Sequence, residues 1–399
     1  MGQLQREDPE SKSRYDPCLA GIRGYGFLLV FCAHYLRPDL LAKPGTLRLK
    51  LISVPASPAI FAVPAFFVLS GYLIGGILYH TRNREGFFRV FYARRVLRVF
   101  PVYYLTLLAI AAFYAIEHVP MDLQFWSHFL YIQNLTPDPI ARPDTSIVMG
   151  HFWSLAVEEQ FYLIWPLMVW RFRDRRKLIT AVIALIIACC LFRLAAPALS
   201  ISGPRLGSLT PTRADAILFG VLLNLACETA LYRKLVPMAK WAALAGIITA
   251  ALLSFFKGVP WAFTSTGKEV GIPLANFTAV AIVVAVMEKG SLLNRLCSQR
   301  WVCWLGALSY SLYVFHFTFS RFFLYQLVPH LNVYMRHSFA VLVSTFLAFC
   351  TTLILSLFSY FMIERPIMKL KGRLRYGPEV RSLKTCQEVE EPLLVEAGT

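Results

Sequence analysis

Ten long apolar segments divide this chain, and they constrain its fold more than any other feature. Each segment is close to the roughly 20 residues that an α-helix needs to cross about 30 Å of hydrocarbon. In lipid, the backbone N–H and C=O groups have to be paired inside the spanning structure, which favours helices. The sequence therefore predicts an all-α polytopic membrane protein with about ten transmembrane helices, at residues 19–36, 56–80, 97–116, 152–170, 178–199, 214–231, 238–256, 270–287, 303–328 and 338–363.

The composition also favours a membrane protein. Of the 399 residues, 57% are hydrophobic and only 16% are charged, which leaves too little polar surface for a soluble protein of this size. The net charge is +17, but the basic residues gather between the apolar segments, which indicates membrane topology and not a nucleic-acid surface. The nine cysteines form no CxxC or metal-ligand spacing, and no Walker loop, GxGxxG or HExxH pattern is present. We therefore expect no metal and no nucleic-acid partner.

The basic residues between the segments predict the orientation. The connections after even-numbered segments are rich in arginine and lysine, whereas the long connection at 117–151 contains only Arg142. Basic loops tend to stay in the cytoplasm, so both termini are expected there, although the first connection is also basic. We expect a cytoplasmic segment at 1–17, one membrane domain at 18–368, and a disordered cytoplasmic tail at 369–399. In a bacterium, the membrane would be the plasma (inner) membrane.

Arg23 and His34 lie eleven residues apart in the first apolar segment. Eleven steps of an α-helix come to roughly 1100°, within about 20° of three full turns, so both side chains share one face, about 16 Å apart along the axis. An ionisable side chain in hydrocarbon costs at least about 2.5–3.5 kcal/mol, so such residues face the protein interior and often mark a functional path. A neutral histidine can serve as a general base. A histidine hydrogen-bonded to a neighbouring helix is the structural alternative.

Arg95 and Arg98 stand at the predicted cytoplasmic mouth of the third segment. They are i, i+3 neighbours, so on a helix they point the same way. Guanidinium groups bind phosphate oxygens in a bidentate manner. The pair is therefore a candidate anchor for a phosphate-bearing cytosolic donor, and an ordinary basic flank of a membrane helix is the alternative.

The fourth segment opens with the run HFWSLAVEEQFY at 151–162, which contributes Trp153, Glu158 and Tyr162 as candidate site residues. The glutamates of this run would enter the apolar region one to two turns from the helix start. Carboxylates at such a depth pair with a base or orient a catalytic imidazole, here the arginine or histidine of the first segment. A purely structural polar network is the alternative.

Three further ionisable residues are candidates. Arg213 and Asp215, at the start of the sixth segment, are most simply an ion pair, and His316 in the ninth segment is most simply a hydrogen-bonded core histidine. The dipeptide Ser70-Gly71 offers small residues that let helices pack closely. No GxSxG elbow surrounds this serine, so nothing supports it as a nucleophile.

Taken in order, these motifs resemble those of the family-3 membrane acyltransferases, the group that includes bacterial O-antigen and exopolysaccharide O-acetylases. The resemblance covers roughly residues 18–368. The motifs are GIRG at 21–24 with His34, FFVLSGY at 66–72, RVLR at 95–98 with Pro101, WSLAVEEQFY at 153–162, Arg213-Ala-Asp215, SYSLY at 309–313 with His316, and ERP at 364–366.

The resemblance implies a ten-helix enzyme with an acyl-coenzyme A donor, most often acetyl-CoA. It also implies that His34 and Arg23 are essential and that Arg95 and Arg98 meet the coenzyme. Our hypothesis is transfer of a short acyl group to a hydroxyl of a surface glycan or glycolipid, with His34 as the base and with Glu158 or Arg23 holding the imidazole. A transient acyl-histidine is a variant, and stabilisation of the oxyanion by Arg23 is another.

Other functions stay open at this point. The same chemistry could act on a macrolide or other secondary metabolite, or could transfer succinyl groups to a periplasmic glucan. A transporter or flippase would also contain many spans with intramembrane charges, but it would predict internal repeats, and none is visible. The sequence sets neither the oligomeric state nor the side of the membrane on which transfer is completed.

Overall fold

The computed structural model of the chain describes residues 16–43, 45–136, 147–201, 203–257 and 271–378, so most of the predicted N-terminal segment, Arg142 and the tail from residue 379 lie outside the described residues. Within those ranges the chain folds into helices. The α-helices, in chain order, are α1 (Pro17–Tyr35), α2 (Pro38–Leu41), α3 (Leu47–Ala56), α4 (Ala62–Thr81), α5 (Phe87–Ile116), α6 (Leu123–Ser127), α7 (Trp153–Arg171), α8 (Arg175–Ala195), α9 (Gly203–Leu206), α10 (Thr210–Ala226), α11 (Ala230–Lys257), α12 (Gly271–Met287), α13 (Leu292–Cys297), α14 (Arg300–Ala307), α15 (Ser309–His316), α16 (Val328–Leu331), α17 (His337–Ser359) and α18 (Arg365–Lys371).

Among the described residues, six helical stretches are long and apolar enough to cross a membrane, and each overlaps a predicted segment. This confirms the all-α prediction for that part of the chain, while the number ten and the cytoplasmic position of both termini stay predictions. Two stretches join neighbouring helices through a 3₁₀ or π turn. The six are Pro17–Tyr35, Leu47–Thr81, Phe87–Ile116, Arg175–Leu199, Ala230–Lys257 and His337–Lys371.

The other four predicted segments also form helices, but these are shorter or more polar. α7 carries two adjacent glutamates, and α10 has 17 residues and contains both an arginine and an aspartate near its start. α12 is apolar but is also 17 residues long. The segment predicted at 303–328 is divided among α14, α15 and a π-helical turn at Phe322–Leu327. Polar side chains thus lower the hydropathy of α7 and α10, whereas α12 is short and the 303–328 segment is interrupted.

Helices α4 and α10 approach each other closely at glycine residues. A Cβ atom at Gly71 would lie 1.8 Å from the Ile217 carbonyl oxygen, and one at Gly220 would lie 2.0 Å from that of Val68. Both positions therefore require glycine, which confirms the packing interpretation of the Ser70-Gly71 dipeptide. The contact also fixes the position of α4 along its axis relative to α10. It therefore fixes the position of the serine that precedes Gly71.

The C-terminal helix continues past the predicted domain boundary at residue 368. Helix α18 ends at Lys371, and residues 372–378 then pack against the beginning of α5. There Arg94 donates hydrogen bonds to the carbonyl oxygen of Leu374. Residues 369–378 are thus part of the folded bundle.

Candidate functional site

A cavity of about 1020 Å³ lies at the end of the bundle where α1 begins. Helices α1, α4, α5, α7 and α18 all contribute to its walls. Six Lys or Arg side chains line it, against two Asp or Glu side chains, so an anionic ligand would be attracted there. The six basic residues are Arg23, Arg95, Arg98, Arg365, Lys369 and Lys371.

Helix α5 places Arg95 and Arg98 on the same cavity wall, as their spacing predicts. The Arg95 guanidinium carbon lies 4.8 Å from the centre of the Tyr162 ring, a cation–π distance that orients the side chain. Arg23 enters the same cavity from α1. The cavity therefore contains three of the sequence-predicted arginines and the tyrosine of the fourth segment.

Glu158 lies next to this cavity in a short chain of hydrogen bonds. The Tyr162 hydroxyl donates to the Glu158 Oε2 atom at 3.4 Å, and the Ser70 and Tyr162 hydroxyls are hydrogen-bonded to each other. The positive charges of Arg95 and Arg23 act on the Glu158 carboxylate. The glutamate thus lies in the electric field of two of the cavity arginines.

His34 lies elsewhere, near the C-terminal end of α1, among aromatic residues and other histidines. Its Nδ1 atom is 3.1 Å from the Nε2 atom of His316, and its ring centre is 4.1 Å from that of Phe317. His34 is half-buried and His316 is completely buried. The two imidazoles form a direct pair between α1 and the end of α15.

The hydrogen bonds around this pair fix where the protons are. The His316 Nδ1 atom is 2.7 Å from the Tyr313 carbonyl oxygen, which can only accept, so Nδ1 of the neutral ring carries the proton. The Nε2 atom of His316 is then an acceptor, and the Nδ1 atom of His34 must donate to it. A neutral His34 in this tautomer has its free lone pair on Nε2, which is the form that a general base requires.

His151 is a third histidine at this end of the bundle, and sequence reasoning assigned it no role. Its Nε2 atom is 3.1 Å from the Val314 carbonyl oxygen, and its ring centre lies 5.1 Å from that of His316. The Tyr313 hydroxyl donates to the His151 carbonyl oxygen at 2.9 Å and is 2.5 Å from the Ser154 hydroxyl. The sequence shows only that His151 flanks an apolar segment. This position alone does not distinguish a functional histidine from a histidine of the protein core.

The structure does not bring Arg23 and His34 together, which corrects one expectation. They lie three helical turns apart, or about 16 Å along the axis, so a shared face does not put them in contact. Nor does the His34 ring contact Glu158: it contacts the rings of His316 and Phe317 and has a hydrogen bond with the Val30 backbone. The side chain that holds the His34 imidazole in this structure is therefore that of His316, with the Val30 backbone beside it.

The expected Arg213–Asp215 pair is also different in the structure. Asp215 pairs with Arg193 of α8, at 2.6 Å between Oδ2 and Nη2, and the side chains are only 0% and 2% exposed. Arg213 instead lies over Trp153, 5.0 Å from the ring centre to the guanidinium carbon. Residues two apart on a helix do not share a face, so Arg213 and Asp215 point toward different neighbours. Arg193 was missed because its partner is on another helix.

Among the described residues, no group of three or more His, Cys, Asp or Glu side chains is arranged to hold a metal ion. In the described part of the segment that follows α5, His128 is a buried titratable group, only 1% exposed. Burial lowers its pKa from the ordinary value of 6.5 to about 4. The Tyr103 hydroxyl donates to the His128 carbonyl oxygen at 3.0 Å and so fixes this segment to α5.

Comparison with known proteins identifies the family. The model of the acyltransferase domain of family 3 matches residues 16–361. The chain is 25% identical over 378 residues to O-acetyltransferase OatA of Staphylococcus aureus, covering 89% of this chain and 58% of that protein. It is 26% identical over 344 residues to peptidoglycan O-acetyltransferase OatA of Listeria monocytogenes, covering 80% of this chain and 53% of that protein.

The chain thus spans somewhat more than half the length of these two relatives. No solved structure matches it. The family match covers the cavity arginines of α1 and α5 together with the histidines of α1 and α15. The chain therefore belongs to the family 3 acyltransferases and is a multi-pass integral membrane protein.

Proposed function

We propose that this protein is an O-acetyltransferase that moves an acetyl group from acetyl-CoA to a hydroxyl of a cell-surface glycan, with peptidoglycan as the first acceptor to test. One observation carries the proposal: a basic cavity suited to phosphates lies at one end of α1, and an imidazole pair with a fixed tautomer lies toward the other. Both relatives are named O-acetyltransferases, and the Listeria protein is named a peptidoglycan O-acetyltransferase.

The donor occupies the basic cavity in this proposal. Arg95 and Arg98 bind the diphosphate of the coenzyme, because adjacent guanidinium groups offer bidentate donors to phosphate oxygens. The excess of basic residues between the apolar segments supports a cytoplasmic position for this end and for both termini, in a chain that crosses the membrane ten times. Arg23, which lines the cavity, and Glu158, which lies next to it, orient the thioester arm.

The acceptor is activated at the other end of α1. The Nε2 atom of His34 takes the proton of the attacking hydroxyl while the hydroxyl oxygen bonds to the thioester carbonyl carbon. When the tetrahedral intermediate collapses, the carbon–sulfur bond breaks and the imidazolium returns the proton to the coenzyme thiolate. His316 accepts the hydrogen bond from His34 Nδ1 throughout, so Nε2 stays available as the base.

The test uses the purified full chain in lipid nanodiscs with labelled acetyl-CoA and soluble peptidoglycan fragments. The wild-type protein should transfer label to the glycan, and His34→Gln should lower kcat at least about 100-fold, since loss of a general base removes an effect of that size. Cys32→Ala is a matched control, because this exposed residue is on the same helix and outside the site. Absence of transfer by the folded wild-type protein with glycan acceptors would contradict the proposed function, and full activity of His34→Gln would remove the base assignment.

A further inference from the structure

The segment at 365–378 lies beyond the end of the family match at residue 361, yet it contributes to the basic cavity. Arg365 and Lys369, on α18, are both lining residues. They are i, i+4 neighbours, so they project from one face of the helix. This cationic wall adds to the wall made by Arg95 and Arg98 on α5.

The rest of the segment is fastened to the bundle by specific contacts. The Arg94 Nε atom donates to the Leu374 carbonyl oxygen at 2.9 Å, and Nη2 donates to the same oxygen. The Arg94 guanidinium carbon lies 5.1 Å from the centre of the Tyr376 ring. The Gly377 N–H donates to the Glu85 carbonyl oxygen at 3.1 Å, and in return the Glu85 N–H donates to the Pro378 carbonyl oxygen at 3.2 Å.

Two adjacent arginines of α5 therefore have different tasks. Arg94 is only 7% exposed and holds the 372–378 segment, whereas Arg95 lines the cavity. Because the segment is anchored to α5, the cations of α18 are held near the α5 cations and do not move freely in solvent. A ligand that carries two separate phosphate groups fits two such cationic walls better than a ligand that carries one.

We propose that residues 365–378 form a fixed wall of the donor site, in which Arg365 and Lys369 bind the 3′-phosphate of the coenzyme nucleotide. This rests on the proposed function, in which Arg95 and Arg98 bind the diphosphate. The segment then determines donor specificity: it favours acyl carriers with a phosphorylated ribose over carriers that lack that phosphate. The exposed position of Lys369 at the cavity mouth is suited to the most peripheral phosphate of the donor.

The test compares acetyl-CoA with acetyl-dephospho-CoA, which lacks only the 3′-phosphate. Loss of two exposed ion pairs between these side chains and the 3′-phosphate should raise the KM for acetyl-CoA by about three- to tenfold. In the double variant Arg365→Gln, Lys369→Gln, the KM for acetyl-CoA should rise by that factor and approach the KM for acetyl-dephospho-CoA, while kcat stays the same. The KM of the dephosphorylated donor should not change, since it makes no contact with these residues.

A control variant with the same loss of charge distinguishes a direct contact with the phosphate from long-range attraction by the net positive charge of the protein. Lys289→Gln with Arg295→Gln removes two exposed positive charges, the second on α13, which packs against α1 at Gly21, and neither residue lines the cavity. This control should leave both KM values unchanged. An equal rise in the control, or an equal rise for both donors in the α18 variant, would contradict the proposal.

A second variant tests the anchor without touching the binding cations. Arg94→Gln should release the 372–378 segment, raise the KM for acetyl-CoA as the α18 variant does, and speed tryptic cleavage after Arg373 and Arg375. If tryptic cleavage is faster but the KM is unchanged, the wall is not needed for donor binding and the inference is wrong. Wild-type protein that transfers no acyl group from either donor would instead count against the proposed function.

Discussion

Replacing His316 tests whether the imidazole pair holds the base of the reaction. His316→Phe keeps a ring of similar shape in a site that is 0% exposed, but it removes the acceptor of the His34 Nδ1–H bond. His316→Gln keeps a side-chain acceptor oxygen that can take the place of Nε2. Both variants thus lack the histidine, but only His316→Gln can still accept the hydrogen bond from His34.

The expected magnitude follows from that one hydrogen bond. A net hydrogen bond is worth about 0.5–1.5 kcal/mol, and 1.36 kcal/mol in the barrier is a factor of ten in rate. Without the His316 acceptor, the His34 tautomer with its proton on Nδ1 is favoured less, because only the hydrogen bond with the Val30 backbone still supports it. We therefore expect kcat of His316→Phe to fall about tenfold and that of His316→Gln to recover most of the loss.

The assay is initial-rate acetyl transfer in nanodiscs at varied acetyl-CoA, with thermal unfolding measured in parallel. The KM for acetyl-CoA should not change in either variant, because the basic cavity is at the other end of α1. A purely structural role for His316 predicts instead that Phe and Gln lose activity in proportion to their loss of stability. Equal kcat values for the two variants at equal stability would refute the positioning role.

Two predictions concern stability. Asp215→Asn should lower the free energy of unfolding by about 3–5 kcal/mol, because it leaves the buried Arg193 charge unpaired, and adding Arg193→Met should restore part of the loss; additive losses in chemical denaturation would contradict the pairing. In the folded protein the pKa of His128 is about 4, below its ordinary value of 6.5, so folding favours the neutral imidazole over the protonated one. The stability that the neutral His128 contributes is complete above pH 6.5 and is lost as the pH falls toward 4. The melting temperature of His128→Phe should therefore depend less on pH in this range than that of the wild type. Parallel curves of melting temperature against pH would contradict this prediction.

Helix positions could be predicted because they depend on local hydrophobicity. The apolar runs identify six long helices directly, since length and hydropathy are properties of the segment alone. The segment predicted at 303–328 shows the limit of that reasoning. The apolar run there is continuous, but the chain is divided into α14, α15 and a π-helical turn. The buried His316 lies at the end of α15, where the helix is interrupted, and its carbonyl oxygen accepts a hydrogen bond from another helix.

Side-chain partners were predictable only where they lie within one helix. Arg95 and Arg98 share a wall because three residues make nearly one turn. The pairing of His34 with His316 joins residues that are 282 positions apart, and helical spacing contains no information about such a contact. For Asp215, the nearest arginine in sequence was the wrong partner, because two residues along a helix amount to roughly 200° of rotation.

The separation between cavity and imidazole pair has a mechanistic consequence. If phosphates bind at Arg95 and the base is His34, the acyl group must be delivered about three helical turns away from the nucleotide. Polar groups continue in that direction: Tyr162 contacts Glu158, whose charge acts on Tyr313, and the Tyr313 hydroxyl contacts the backbone next to the histidine cluster. An extended, flexible donor arm satisfies this distance, whereas a compact donor does not. The proposed roles thus predict a carrier thioester and not a small acyl phosphate as the donor, because only the former can be held at one end of α1 and react at the other.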